Sequence, residues 1–159
     1  MSLASLLALA GFLAMNFAAS ATGAIFRPGE WYESLRKPWW TPPKLAFPIV
    51  WSMLFLANAV AGWLVWETAG IAALPALLVY VVSLALNAGW SFVFFGLRRM
   101  RLALAEVALL WLSIAAVMLV FWPIRPLATL LVAPYLIWVT IAAALNLRLI
   151  QLNPKSMVR

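Results

Sequence analysis

The chain has 159 residues, of which 67% are apolar and only 9% are charged, and it carries a net charge of +7. Soluble domains carry about 25% charged residues, so this composition excludes a water-solvated globular protein. It predicts instead a single membrane domain over residues 1–159. Cysteine and histidine are absent, which excludes disulfides, thiolate nucleophiles and the usual zinc and haem ligands. We therefore expect no metal site and no cofactor.

Apolar runs define the expected elements in chain order. They cover about residues 3–26, 47–66, 71–95, 102–121 and 127–147. Each has at least 20 residues, which at ~1.5 Å per residue reaches across a hydrocarbon core of ~30 Å. The pattern predicts an all-α bundle of five transmembrane helices. Three of the four connections are short, so consecutive helices are expected to be neighbours.

Basic residues predict the orientation of the bundle. Ten lie on one side of the predicted spans, namely Arg27, Arg36, Lys37, Lys44, Arg98, Arg99, Arg101, Arg148, Lys155 and Arg159. The other side has only Arg125. Because basic loops stay in the cytoplasm, the amino terminus is expected outside and the carboxyl terminus inside. The same explanation accounts for the positive net charge, so we expect no nucleic-acid partner.

The first connection, about residues 27–43, is long and contains the four aromatic residues Trp31, Tyr32, Trp39 and Trp40. One interpretation is an aromatic belt at the lipid interface. The other is a lid that covers the cytoplasmic mouth of a pocket. Near its end, Thr41 suits a helix N-cap and Pro42 suits a first helical position, so the second helix is expected to begin there.

Polar and aromatic residues share faces of three predicted helices. The second helix offers Trp51, Phe55, Asn58 and Gly62; the third offers Tyr80, Ser83, Asn87 and Ser91; the fifth offers Tyr135, Trp138 and Ala142. Taken singly, each asparagine is most simply interpreted as forming a hydrogen bond between helices, and each tryptophan as packing against lipid. Taken together, the three faces could line an apolar pocket for a flat hydrophobic ligand that stacks on indole. Ligand carboxylates could meet the basic residues of the first connection.

The four acidic residues are too dispersed for a catalytic or metal-binding cluster. They are Glu30, Glu33, Glu67 and Glu106. Glu106 lies about one turn into the fourth helix, where it is expected either to extend its carboxylate to the membrane interface or to pair with Arg99 or Arg101, and a proton relay is the alternative. No acid lies at mid-depth, which argues against a proton-driven pump.

Small residues recur along the first helix at four-residue spacing. They are Ala10, Ala14 and Ala18, with Gly11, Ala19 and Gly23 on adjacent rows. This pattern allows helices to approach closely. It fits either packing inside the bundle or a homodimer.

The motifs around the first connection are specific. The chain reads Trp31-Tyr32-x-x-Leu35-x-Lys37-Pro38-x-Trp40-x-Pro42-Pro43, then Phe47-Pro48-x-x-Trp51. Supporting matches are Asn87-x-x-Trp90, Phe94-Phe95-Gly96, Pro134-Tyr135-x-x-Trp138 and Leu145-Asn146. In this order, over nearly the whole chain, they resemble the tryptophan-rich sensory protein/translocator protein family, formerly called the peripheral benzodiazepine receptor.

That resemblance implies a five-helix bundle, commonly a homodimer, with a pocket open toward the first connection. Ligands of the family include porphyrins and other tetrapyrroles, cholesterol, isoquinoline carboxamides and benzodiazepines. By motif position, the pocket would be lined by Tyr32, Trp39, Pro42, Trp51, Phe55, Asn87, Trp90, Trp138 and Ala142. Some bacterial members are reported to degrade protoporphyrin in light, and the tryptophans at the positions of Trp51 and Trp138 are implicated there.

One departure from the family concerns sterol binding. Where the family's cholesterol-recognition segment has tyrosine and then a basic residue, this chain has Leu147 and Gln151. Such motifs are weak indicators even when complete, so we expect no specific cholesterol binding. The preferred hypothesis is a porphyrin-binding receptor or transporter, acting in stress or light-dependent regulation, in a bacterial inner rather than outer membrane. The alternatives are a light-dependent porphyrin-degrading enzyme and a translocator of sterols or small lipids.

Overall fold

Helices make up almost all of the described chain, which is residues 2–154 of the computed structural model, and no strand occurs in that range. They are α1 Leu3–Ile25, α2 Glu30–Ser34, α3 Ala46–Ala69, α4 Leu74–Ser91, α5 Met100–Phe121 and α6 Pro126–Leu152. The predicted all-α class is confirmed. Two residues of the charge argument, Lys155 and Arg159, lie outside the described residues.

Four stretches of the described chain are long and apolar enough to cross a membrane. One of them, Ala46–Gly96, has 51 residues and contains both α3 and α4. A 3-10 turn at Gly70–Ala73 separates the two helices, and Gly70 adopts a φ of +51°. The Tyr80 hydroxyl of α4 donates to the Asn58 carbonyl of α3 at 3.1 Å. Because this contact joins residues on either side of a four-residue turn, the chain reverses direction there and α3 and α4 are antiparallel, which agrees with the five predicted spans.

The five long helices form a ring in the order α1, α3, α6, α5, α4. α1 packs against both α3 and α4, and α6 packs against both α3 and α5, while α4 and α5 close the ring. The expectation that all consecutive helices are principal neighbours is wrong for α3 and α4. These two flank α1, although a tight turn joins them, because both bury their small and aromatic residues against it.

A polar network joins α1, α3 and α4 inside the ring. The Asn16 amide donates to the Phe12 carbonyl at 2.9 Å and to the Tyr80 hydroxyl, and the Asn58 amide donates to the Asn16 side-chain oxygen at 3.1 Å. All three polar side chains are almost fully buried. Asn58 and Tyr80 therefore hold helices together, as the simpler interpretation of isolated polar residues predicts.

The second long helix begins within one residue of the apolar run predicted at 47–66, and not at Thr41-Pro42 as the capping pattern suggested. α3 starts at Ala46 with Leu45 as its N-cap residue. Thr41 caps nothing, because its hydroxyl donates to the Pro38 carbonyl at 2.7 Å within a preceding turn. Residues 27–45, called here the covering segment, therefore include the short helix α2 and this turn.

The covering segment lies against one end of the bundle through buried apolar side chains. Tyr32 and Leu35 are buried in one cluster with Phe94 beyond α4 and with Leu145 and Leu149 of α6. This packing places the segment across the end of the ring where α3 begins and α4 ends.

Candidate functional site

An enclosed cavity lies inside this end of the ring. It is lined by Pro42, Phe47, Trp51, Trp90, Trp138, Ile141, Ala142 and Leu145. The covering segment, α3, α4 and α6 each contribute to the wall. The cavity measures about 10 Å³, which is about the space of one water molecule. The lining side chains are apolar, and their only polar atoms are the indole nitrogens of Trp51, Trp90 and Trp138.

Two of the tryptophans are held by aromatic neighbours on the α3 side. The Trp51 ring stacks on Phe55 with centroids 5.5 Å apart and meets the edge of Tyr135 at 6.0 Å. The Trp138 ring meets the edge of Phe47 at 5.8 Å. These contacts fix the planes of two indoles at the cavity wall.

The third tryptophan, Trp90, stacks on Phe94 with centroids 5.2 Å apart. Within residues 2–154, the indole nitrogens of Trp90 and Trp138 are buried and have no hydrogen-bond partner. A buried donor without an acceptor costs about 1–3 kcal/mol. A ligand atom that accepts a hydrogen bond would remove this cost, so the cavity is chemically suited to a flat apolar molecule with acceptor atoms.

Five of the predicted pocket residues meet in this cavity: Pro42, Trp51, Trp90, Trp138 and Ala142. Two others lie just behind its wall. Phe55 stacks on the face of Trp51. The buried Asn87 amide donates to the Tyr135 hydroxyl at 2.7 Å, so this hydrogen bond links α4 to α6 across the ring.

The remaining two predicted pocket residues belong to the covering segment and lie elsewhere. Trp39 is 96% exposed and does not line the cavity. Tyr32 is buried in the cluster below the cavity, with Lys37 4.7 Å above its ring. Burial, and then the nearby Glu33 carboxylate, raise the pKa of the Tyr32 phenol.

Three lining residues were not predicted from the sequence, namely Phe47, Ile141 and Leu145. Helical spacing could have found two of them. Positions 138, 141, 142 and 145 lie on one face of a helix, so Trp138 and Ala142 imply the other two. Phe47 stands one turn before Trp51 and shares its face for the same reason.

The basic residues at the mouth are partly engaged by one acid. The Glu33 carboxylate lies 2.9 Å from the Lys44 ammonium and 3.9 Å from that of Lys37. The hydrogen bond from Lys44 is the largest cause that lowers the pKa of the Glu33 carboxyl. The exposed Lys44 pair is worth little, so Lys44 can exchange this partner for another carboxylate, whereas Lys37 is half-buried and also donates to the Glu33 carbonyl at 3.1 Å.

Glu106 is not paired as expected. Residues 2–154 contain no ion pair between Glu106 and Arg99 or Arg101. The carboxyl lies over Gly89 of α4, where a Cβ atom would stand 2.9 Å from Oε1. Oε2 is buried, and no described residue is its hydrogen-bond partner. The side chain thus packs between α4 and α5, outside the cavity lining.

Known proteins share this sequence pattern over most of the chain. The profile of the TspO/MBR family matches residues 4–152. The chain is 43% identical over 142 residues to a tryptophan-rich sensory protein of Cereibacter sphaeroides, covering 89% of each. It is 41% identical over 141 residues to protein CrtK of Rhodobacter capsulatus, covering 86% of each. The human translocator protein is 38% identical over 106 residues, which are 63% of this chain and 62% of that protein.

Proposed function

Because this chain belongs to the TspO/MBR family, we propose that it is a membrane receptor or transporter that binds porphyrins or related tetrapyrroles inside its helix bundle. The binding would serve stress or light-dependent regulation from a bacterial inner membrane. A homodimer is part of the proposal, with one cavity in each subunit.

The observation that carries the proposal is the indole-walled cavity. Trp51, Trp90 and Trp138 reach it from three different helices. Two of them present buried indole donors that no group in residues 2–154 accepts. Tetrapyrroles combine a large flat apolar face with polar edge groups, which matches stacking surfaces and hydrogen-bond donors.

A tetrapyrrole requires the cavity to widen. Small-molecule pockets are typically about 300–1,000 Å³, whereas this cavity measures about 10 Å³. The covering segment is the element that can move without breaking a membrane span, because it lies outside the long helices. Binding is therefore expected to include displacement of Pro42 from the cavity wall.

The cavity favours binding over acid–base catalysis. None of its lining residues has an ionisable side chain, so no described group there can transfer a proton. Light-dependent breakdown of porphyrin would have to use the ligand's own excited state with Trp51 or Trp138 as redox partner. We therefore give binding precedence over an enzymatic role.

Replacing one wall indole tests the proposal. Trp51→Ala removes a stacking surface, so the Kd for protoporphyrin is expected to rise at least tenfold, about 1.4 kcal/mol. Titration of the purified protein, followed by the porphyrin absorbance band, measures this without depending on tryptophan emission.

Trp122→Ala is the matched control. Trp122 is 56% exposed, and it follows α5 at the opposite end of the bundle. Its loss should change the Kd by less than twofold. Equal affinities for the Trp51 and Trp122 variants would contradict the placement of porphyrin in this cavity.

A further inference from the structure

Asn153, which follows α6 directly, forms a two-bond contact with the covering segment. The Arg36 backbone N–H donates to the Asn153 side-chain oxygen at 2.9 Å. The Asn153 side-chain nitrogen donates to the Arg36 carbonyl at 2.9 Å. The asparagine amide thus pairs with both polar groups of one residue 117 positions away, as a neighbouring β-strand would.

This contact lies where the covering segment crosses the end of α6. Leu35, next to Arg36, is buried in one cluster with Leu145 and Leu149 of α6. Leu145 also lines the cavity, and Pro42, six residues after Arg36, forms part of its wall. A contact that fixes Arg36 therefore limits how far Pro42 can move from the cavity.

We propose that Asn153 is a positioning residue that latches the covering segment to α6 and thereby controls how often the cavity opens. The latch itself is a property of the fold. Its consequence for porphyrin entry and release rests on the proposed function.

The geometry distinguishes a latch from an ordinary helix cap. The Asn153 backbone N–H already donates to the Leu149 carbonyl at 3.1 Å, and its side-chain nitrogen donates to the same carbonyl at 2.9 Å. The two bonds to Arg36 are additional to this capping. Because they use only the Arg36 backbone, the identity of the side chain at position 36 should not matter, whereas the amide at position 153 should.

The chain has no cysteine, so one introduced thiol can report opening. Leu35→Cys places a thiol at a position that is 7% exposed, where a water-soluble maleimide reacts only when the covering segment lifts. In this background, Asn153→Ala is expected to raise the labelling rate about tenfold, because it removes the two exposed hydrogen bonds to Arg36 in addition to the capping bond to Leu149.

Arg36→Ala in the same background is the matched control. It keeps both backbone hydrogen bonds, so its labelling rate should stay within twofold of the parent. Equal rates for the Asn153→Ala variant and the parent would overturn the latch. A tenfold rise for both substitutions would overturn it as well, because the effect would then not depend on the amide of Asn153.

Hydrogen exchange provides a second measurement without a cysteine substitution. The Thr41 amide donates to the Pro38 carbonyl and the Leu35 amide to the Tyr32 carbonyl, so neither amide is bonded to Asn153. Both should exchange faster in Asn153→Ala, while amides inside α5 keep the parent rate. Faster exchange in α5 too would indicate general destabilisation and would count against a local latch.

Porphyrin kinetics separate this proposal from the proposed function. The Asn153→Ala variant should show higher association and dissociation rate constants for protoporphyrin than the parent, with a smaller change in Kd. If labelling accelerates but the parent chain binds no porphyrin, the latch stands and the proposed function fails. If porphyrin binds but labelling does not accelerate, the latch fails and the proposed function stands.

Discussion

At the scale of residues, Asn87 and Tyr135 form a hydrogen bond next to the cavity wall. The Asn87 amide donates to the Tyr135 hydroxyl at 2.7 Å, and the Tyr135 ring meets the edge of Trp51 at 6.0 Å. Asn87 was predicted as a direct ligand contact from its place in the Asn-x-x-Trp motif. That contact stays a prediction, and the observed hydrogen bond leads us to propose that Asn87 also orients Trp51 through Tyr135.

This difference predicts how two substitutions combine. Asn87→Leu and Tyr135→Phe should each weaken protoporphyrin binding, because each removes one end of the same hydrogen bond. The double variant should be no weaker than the worse single variant, giving a coupling of about 0.5–3 kcal/mol in a double-mutant cycle. Absorbance titration of the four proteins measures it.

A direct contact between Asn87 and porphyrin would give a different pattern of affinities. If Asn87 bound porphyrin directly, Tyr135→Phe would leave the affinity unchanged and only Asn87→Leu would weaken it. Additive losses in the double variant would likewise exclude action through Tyr135.

At the scale of elements, close packing of α1 against α3 depends on one glycine. Gly62 of α3 faces Phe12 of α1, and a Cβ atom there would lie 2.7 Å from the Phe12 ring and 3.2 Å from Tyr80. Both aromatic residues are buried, and their rings meet edge to face at 5.9 Å. Moving either ring would disturb the hydrogen bonds that join Asn16 to the Phe12 carbonyl and the Tyr80 hydroxyl.

Gly62→Ala is therefore expected to destabilise the bundle by about 1–3 kcal/mol, the usual cost of overpacking a filled interior. A lower thermal transition temperature in detergent would register this. Gly11→Ala is the control, because no heavy atom lies within 4 Å of a Cβ added there. A Gly62 variant as stable as the Gly11 variant would show that α1 and α3 can separate at no cost.

Over the whole molecule, a ring of five antiparallel helices predicts that the start of α1 and the end of α6 lie on opposite faces of the membrane. The expected orientation places the covering segment in the cytoplasm, since ten of 11 basic residues belong to that side. The turn between α3 and α4 then lies outside.

Thiol labelling in intact cells checks this orientation. Ile71 in that turn is 77% exposed, and Leu45 at the start of α3 is 75% exposed. With an impermeant maleimide, Ile71→Cys should react and Leu45→Cys should react only after the cells are lysed. The reverse pattern would invert the topology and place the cavity mouth outside.

Much of this architecture could be predicted because its causes are local. Apolar runs predict helices in lipid, since each backbone polar group must find its partner within the same segment. The spacing of Trp138 and Ala142 likewise predicted that they share a face, and they do share the cavity wall. The Thr41 cap was predicted wrongly because the Thr41 hydroxyl donates to the preceding Pro38 carbonyl. Residue preferences for helix caps and turns do not decide between that acceptor and a role as helix N-cap.

The amino-acid sequence by itself determined the helical class, the membrane environment, the family and the aromatic character of the site, because these follow from composition, period and motif. Only the tertiary structure decided that α3 and α4 both pack mainly against α1, that Trp39 is exposed, that Asn87 donates to Tyr135, and that Asn153 bonds the Arg36 backbone. These arrangements depend on how residues far apart in the chain pack together. Many side chains could form equally favourable hydrogen bonds or ring contacts, and only the packing of the helices selects which of them come into contact.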